Sequence, residues 1–216
     1  WDKAKAKREI RKFFKSHGVS AAKTTASATD GKVYELYCLV ETLDWLKSRY
    51  TATVRFKGAT VDFKASPGNI DRSRSYFEVS ANRQMLELHT DIEVQTLGSA
   101  LSGSAVDNSG YHETDLVLID PNVANGQKPT HAQLLLGVEC KSQEKFTKAV
   151  VKQVLGIRRE LSMYNGPHDC EMDLRFGVRP KQMKADPASL YWLAFTDGKG
   201  LNYSQSPREF EIEFKH

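Results

Sequence analysis

At 216 residues the chain is long enough for one domain with a full core and modest additions. Its 40% hydrophobic and 27% charged residues give a globular balance, and no apolar run reaches the length of a membrane span, so no membrane partner is expected. The net charge of +4 suits an anionic partner without requiring one. The N-terminus carries no signal-peptide core, so a cytoplasmic protein is expected. The chain opens on Trp1 rather than methionine, as a piece of a longer polypeptide with further domains would. Cys38, Cys140 and Cys170 lack metal-type spacing and read as reduced thiols.

Residues 1–30 read as a basic N-terminal helix and linker, and 31–216 as the main domain. The first helix ends near Gly18 and carries a narrow apolar stripe of Ile10, Phe13 and Phe14. The small, polar "VSAAKTTASATDG" reads as a loop. "KVYELYCLVETLDWLKSRY", residues 32–50, predicts a long helix, apolar nearly all round and therefore buried. Glu35 shares a face of it with Leu39, Thr42 and Leu46, and a carboxylate there asks for a partner. Glu41 falls elsewhere and reads as solvated. "TATVRF" and "ELHTDIEVQTL" predict strands. Between them, residues 64–84 read as a turn-rich excursion. Its Arg72, Arg74 and Arg83, near Tyr76 and Phe77, suit either a plain surface or a nucleic-acid contact. Residues 98–110, "GSALSGSAVDNSG", read as a flexible loop.

Two apolar runs follow, "GYHETDLVLIDP" (110–121) and "LLLGVECKSQEKF" (134–146). Both predict strands, yet Asp115 interrupts the first, and Glu139 and Lys141 the second. Then comes an amphipathic helix over 145–163, with Phe146, Val150, Val154, Ile157 and Leu161 on one side. Lys145, Lys148, Lys152 and Arg159 lie on the other. "LRFGV" and "LYWLAF" read as strands separated by a basic turn, and the tail "REFEIEFKH" as an edge strand. The order helix, strand, strand, strand, helix, strand predicts an α/β fold. Its three middle strands form an antiparallel meander, and the second helix carries the chain to another strand of a mixed sheet.

Charges inside a strand are costly to desolvate unless paired. Glu139 and Lys141 are two apart and share a face, as do Glu113 and Asp115. If the two strands are neighbours, Asp115 and Glu139 approach closely, and one would have to keep its proton unless a cation lay between them. An all-oxygen ligand set suits a hard ion, Mg²⁺ or Mn²⁺. Such an ion beside a lysine suits phosphodiester hydrolysis, with Lys141 orienting or deprotonating the attacking water. Simpler alternatives remain: Asp115 as a turn cap, and Glu139 with Lys141 as a surface ion pair on an edge strand. His112 reads as a strand-end residue, and His89, His131 and His168 form no ligand spacing.

An Asp on one strand followed by Glu-x-Lys on the next, here Asp115 and "Glu139-Cys140-Lys141", resembles the signature of the PD-(D/E)XK nuclease superfamily. The likeness spans about residues 32–196, and Thr114 stands where that family usually has proline. It implies the restriction-endonuclease-like fold, a central mixed sheet flanked by helices. It also implies a Mg²⁺-dependent endonuclease acting on DNA (Mn²⁺ substituting), in restriction, anti-phage defence or DNA processing. Metal ligands would be Asp115 and Glu139, with Glu35 completing the set as the helix glutamate does in that family. Gln153 matches the glutamine that some branches carry on the following helix, and Glu113 is a neighbour of the site. Lys145, Lys148, Lys152 and Arg159 would contact phosphates. A homodimer or further subunits are implied, since each site cuts one strand. The alternatives are a catalytically silent binding or scaffold domain of the same fold, and a ribonuclease.

Overall fold

The structure, a computed structural model, describes residues 1–64, 66–102, 108–142 and 145–216. Three helices lead: α1 (Lys3–Ser16), α2 (Ala22–Ser27) and α3 (Asp30–Tyr50). Then come β1 (Thr53–Lys57), β2 (Tyr76–Ala81), β3 (Gln84–Gln95), α4 (Leu97–Ser102), β4 (Tyr111–Ile119) and β5 (Leu134–Lys141). After α5 (Lys148–Leu161) the chain forms β6 (Met163–Asp169), α6 (Glu171–Arg175), β7 (Gln182–Asp186), β8 (Leu190–Phe195), α7 (Gln205–Arg208) and β9 (Ile212–Lys215).

Seven strands make one mixed sheet in the order β1-β2-β3-β4-β5-β8-β9, and β6 pairs with β7 separately. From β1 to β5 the strands form an antiparallel meander. From β5 through β8 to β9 they run parallel, with α5 on the crossover. The expected α/β architecture, a mixed sheet flanked by helices, is present.

Strand alternation sorts the apolar residues onto two faces. Phe77, Leu86, Leu116, Val138 and Trp192 join Ile10, Phe14, Leu39 and Leu43 in a core under α1 and α3. Val117, Tyr191, Leu193 and Ile212 join Val150, Val154, Ile157 and Leu161 in a second core under α5. Side chains of α1 thus share a core with α3 and the sheet.

Several local expectations are corrected. β2 lies inside the turn-rich excursion, and a two-residue hairpin at Asn82–Arg83, both at positive φ, joins it to β3. Arg72 and Arg74 of the excursion are spent on Glu87 and Asp62, and Phe77 is buried in the core. The supposed linker contains α2, and the loop at 98–110 opens in α4 and closes in a 3₁₀ turn at Asn108–Gly110. Its residues 103–107 lie outside the described residues. "LRFGV" is the end of α6 and a turn at Gly177, whose φ of +69° ends the helix. The basic segment after it contains β7. β9 forms the sheet's edge, as the tail's alternation predicts.

Candidate active site where two strands part

The ladder between β4 and β5 runs from Ile119↔Leu134 to Leu116↔Val138 and stops. One residue further in that register would set Asp115 across from Glu139. Instead of a strand partner, Cys140 N–H meets a carboxylate: it donates to Asp115 Oδ2 at 2.6 Å. Beyond this point β5 stays paired with β8, through Glu139↔Leu193 and Lys141↔Phe195. β5 is therefore central, and the edge-strand reading of Glu139 and Lys141 falls away. On the other side of β4, the pairs Thr90↔Leu116 and Ile92↔Thr114 place Asp91 opposite Asp115. Asp91, Asp115 and Glu139 thus occupy one row across three adjacent strands.

The backbone bends at this row. Leu86 and Leu88 of β3 face the α3 core, whereas Ile92 and Val94 face the α5 core. All four are even-numbered, so the alternation breaks between Leu88 and Ile92. Asp91 holds a φ of 53°, the left-handed region that a non-glycine residue adopts at a cost. The backbone of Gly68 pairs beside it, accepting from Glu93 N–H and donating to Asp91 O.

Two lysines enter the row. Lys141 Nζ lies 2.6 Å from Glu139 Oε1, and Lys32 Nζ lies 2.6 Å from both Glu35 Oε2 and Asp91 Oδ2. Glu35 thus meets the cluster through an ammonium, from the first turns of α3. The compensation is incomplete. Glu139 is 5% exposed, and its Oε2 is buried with no hydrogen-bond partner among the described residues. Burial, then the charge of Glu139, pushes the Asp115 carboxyl up to about 7 against the pull of Cys140 N–H. Burial also raises Glu35 despite Lys32, with Asp91 and Glu139 adding to it, and Glu113 is raised likewise. For the lysines, burial acts downward, but the carboxylates outweigh it. Lys32 and Lys141 both titrate above the ordinary lysine range and stay charged at neutral pH.

The donor set fits a hard cation at Asp115 and Glu139: both are oxygen ligands, one with an orphaned buried oxygen and the other with a carboxyl that resists ionising. As they stand, no three Asp, Glu, His or Cys side chains among the described residues converge closely enough to enclose a metal ion. Glu35 Oε2 and Glu139 Oε1 are both turned onto lysines.

The remaining predicted residues lie further out. Glu113 is exposed on β4 beside the row, and Gln153 is exposed on α5. Lys145, Lys148, Lys152 and Arg159 are exposed, and none forms an ion pair with a described residue. His112 lies 3.5 Å from Glu160, and His89 is buried in a separate network. A cavity of about 680 Å³, lined by Tyr34, Tyr37, Trp45, Val138 and Trp192 among others, touches none of the row's acids. All three cysteines are free and buried. No helix among the described residues is long and apolar enough to cross a membrane.

Sequence reasoning missed Asp91 and Lys32. Asp91 carried the signal that exposed Asp115, a carboxylate inside an apolar run. Lys32 carried a subtler one, a cation in the first turn of a helix. No protein-family model, curated protein or solved structure matches this chain.

Proposed function

We propose that the chain is a metal-dependent endonuclease of the PD-(D/E)XK type, with the restriction-endonuclease-like fold, acting on DNA. The observation that carries the reading is the junction of Asp115, Glu139 and Lys141 where β4 and β5 part, with Glu139 Oε2 buried and unpaired. The meander β3-β4-β5, the crossover α5 and the parallel β8 agree with the topology expected of that superfamily. Asp115 and Glu139 would hold Mg²⁺ or Mn²⁺. Such an ion supplies a water of lowered pKa and neutralises charge developing on the phosphoryl oxygens.

The chain's own groups do the positioning. Glu139 anchors Lys141 through Oε1 and keeps Oε2 for the ion. Lys141, held against Glu139, would orient the attacking water or take its proton. Lys145, Lys148, Lys152 and Arg159 offer an exposed cationic face on and before α5 for backbone phosphates. Restriction or anti-phage defence is the setting that the superfamily resemblance favours.

One observation favours a second reading, a silent nucleic-acid-binding domain. Lys32 and Lys141 already neutralise part of the acid row, as a site without metal requires. Supercoiled plasmid incubated with Mg²⁺ or Mn²⁺, with EDTA as control, decides between them. Metal-dependent nicking that is lost in Asp115→Ala and Lys141→Ala is expected. Binding without cutting under either metal would support the silent domain. Parallel single-stranded DNA and RNA substrates separate a deoxyribonuclease from a ribonuclease.

A further inference from the structure

Lys32 occupies a position that helix physics disfavours. Thr29 caps α3, its hydroxyl accepting from Lys32 N–H, so Lys32 sits third in the helix, at the positive end of the dipole. A cation belongs at the other end unless something local holds it. Here two carboxylates do: Glu35, one turn along the same helix, and Asp91, from the strand across. Asp91 reaches Lys32 from a left-handed backbone position in mid-strand. An ammonium has three donors, and two are spent on these acids. No further acceptor for Lys32 occurs among the described residues, and about a quarter of its side chain, 26%, is exposed. One N–H is left for a ligand.

We infer that Lys32 is the resident second cation of the acid row, so that the site takes one divalent ion, at Asp115 and Glu139, rather than two. The inference rests on the metal-dependent reading above and deepens it. Charge balance agrees. Four carboxylates, Glu35, Asp91, Asp115 and Glu139, face two ammonium groups, and a single divalent ion brings the row to neutrality. A second ion at Glu35 and Asp91 would have to displace Lys32 and break both of its ion pairs. With its free N–H, Lys32 is placed to steady a phosphate oxygen of the substrate from the α3 side, opposite Lys141.

Counting bound Mn²⁺ by the loss of the free-ion paramagnetic resonance signal tests this without any turnover. Wild type should bind one ion per chain. Lys32→Gln should bind two, a doubling, and the double variant Lys32→Gln/Asp91→Asn should return to one. Two ions on wild type, or one on Lys32→Gln, overturns the inference. No ion on wild type but one on Lys32→Gln would uphold Lys32 as a built-in cation while defeating the nuclease reading. No ion on either defeats both. If Lys32→Gln does not fold, the counts on wild type and Lys32→Arg decide: one on each sustains the inference, two on either overturns it.

Discussion

Two buried acids of β3, Glu87 and Asp91, lie four residues apart, and their surroundings are opposite in kind. Around Glu87 every charge is answered. Arg72 Nε lies 3.0 and 3.1 Å from the two carboxylate oxygens, and Arg72 Nη2 bonds the carbonyls of Pro121 and Val123. His89 Nε2 donates to Glu87 Oε2 at 3.0 Å and stacks on Tyr76. Burial pushes Glu87 up, but His89 and Arg72 outweigh it and hold the carboxyl below its ordinary value. Around Asp91 and Asp115 the acids face one another, and Asp115 and Glu35 are raised. A satisfied network ties the loop that carries Arg72 to the sheet. The other leaves the Asp115 carboxyl raised and Glu139 Oε2 without a hydrogen-bond partner among the described residues.

The largest expected effect breaks the satisfied side. Arg72→Met leaves the buried Glu87 carboxylate with His89 alone and frees two carbonyls, so it should cost about 3–5 kcal/mol in urea unfolding. If the loss is under about 1 kcal/mol, the Glu87 network is not the structural tie described.

The open side should respond with the opposite sign. Asp115→Asn removes a like charge and keeps an acceptor for Cys140 N–H. It should stabilise the metal-free protein at pH 8 by on the order of 2 kcal/mol. The pH dependence follows from the raised carboxyl. Between pH about 4 and about 7 the folded protein holds the Asp115 proton that the unfolded chain releases. Folded-state proton binding exceeds unfolded binding there, so stability falls as pH rises through that window and the full cost persists above it. Urea midpoints across pH 4–8 should show this decline in wild type and a flatter profile in Asp115→Asn. A steeper decline in the variant would contradict the assignment.

The smallest effect concerns the α5 face. Lys148→Ala with Lys152→Ala should weaken DNA binding equally across sequences. The salt dependence of log affinity should flatten by about one unit for each phosphate that is no longer neutralised. An unchanged slope would return that face to solvent.

What could be read in the sequence follows the same division. Asp115, Glu139 and Lys141 were legible because a charge within an apolar strand is expensive and therefore conspicuous. Glu35 was legible because the α3 helix is apolar nearly all round. Asp91 sends the same signal, but its meaning depends on register: only pairing β3 with β4 sets it opposite Asp115. Lys32 stood at a helix end, where lysines are ordinarily solvated. Of the fold, the meander and the crossover showed because their strands alternate or run apolar. β2 was hidden by the arginines and turn residues before it. β6, "MYNGPHD", is exposed almost throughout and has no apolar pattern to find.

Calorimetric titration of Mg²⁺ and Mn²⁺ into the wild type, Asp115→Asn and Glu139→Gln addresses the central claim directly, that two carboxylates at the parting of β4 and β5 form a cation site. Saturable uptake by the wild type, weakened at least about tenfold in each variant, is the expected result. No uptake by the wild type at millimolar ion, or equal uptake by all three proteins, would contradict it.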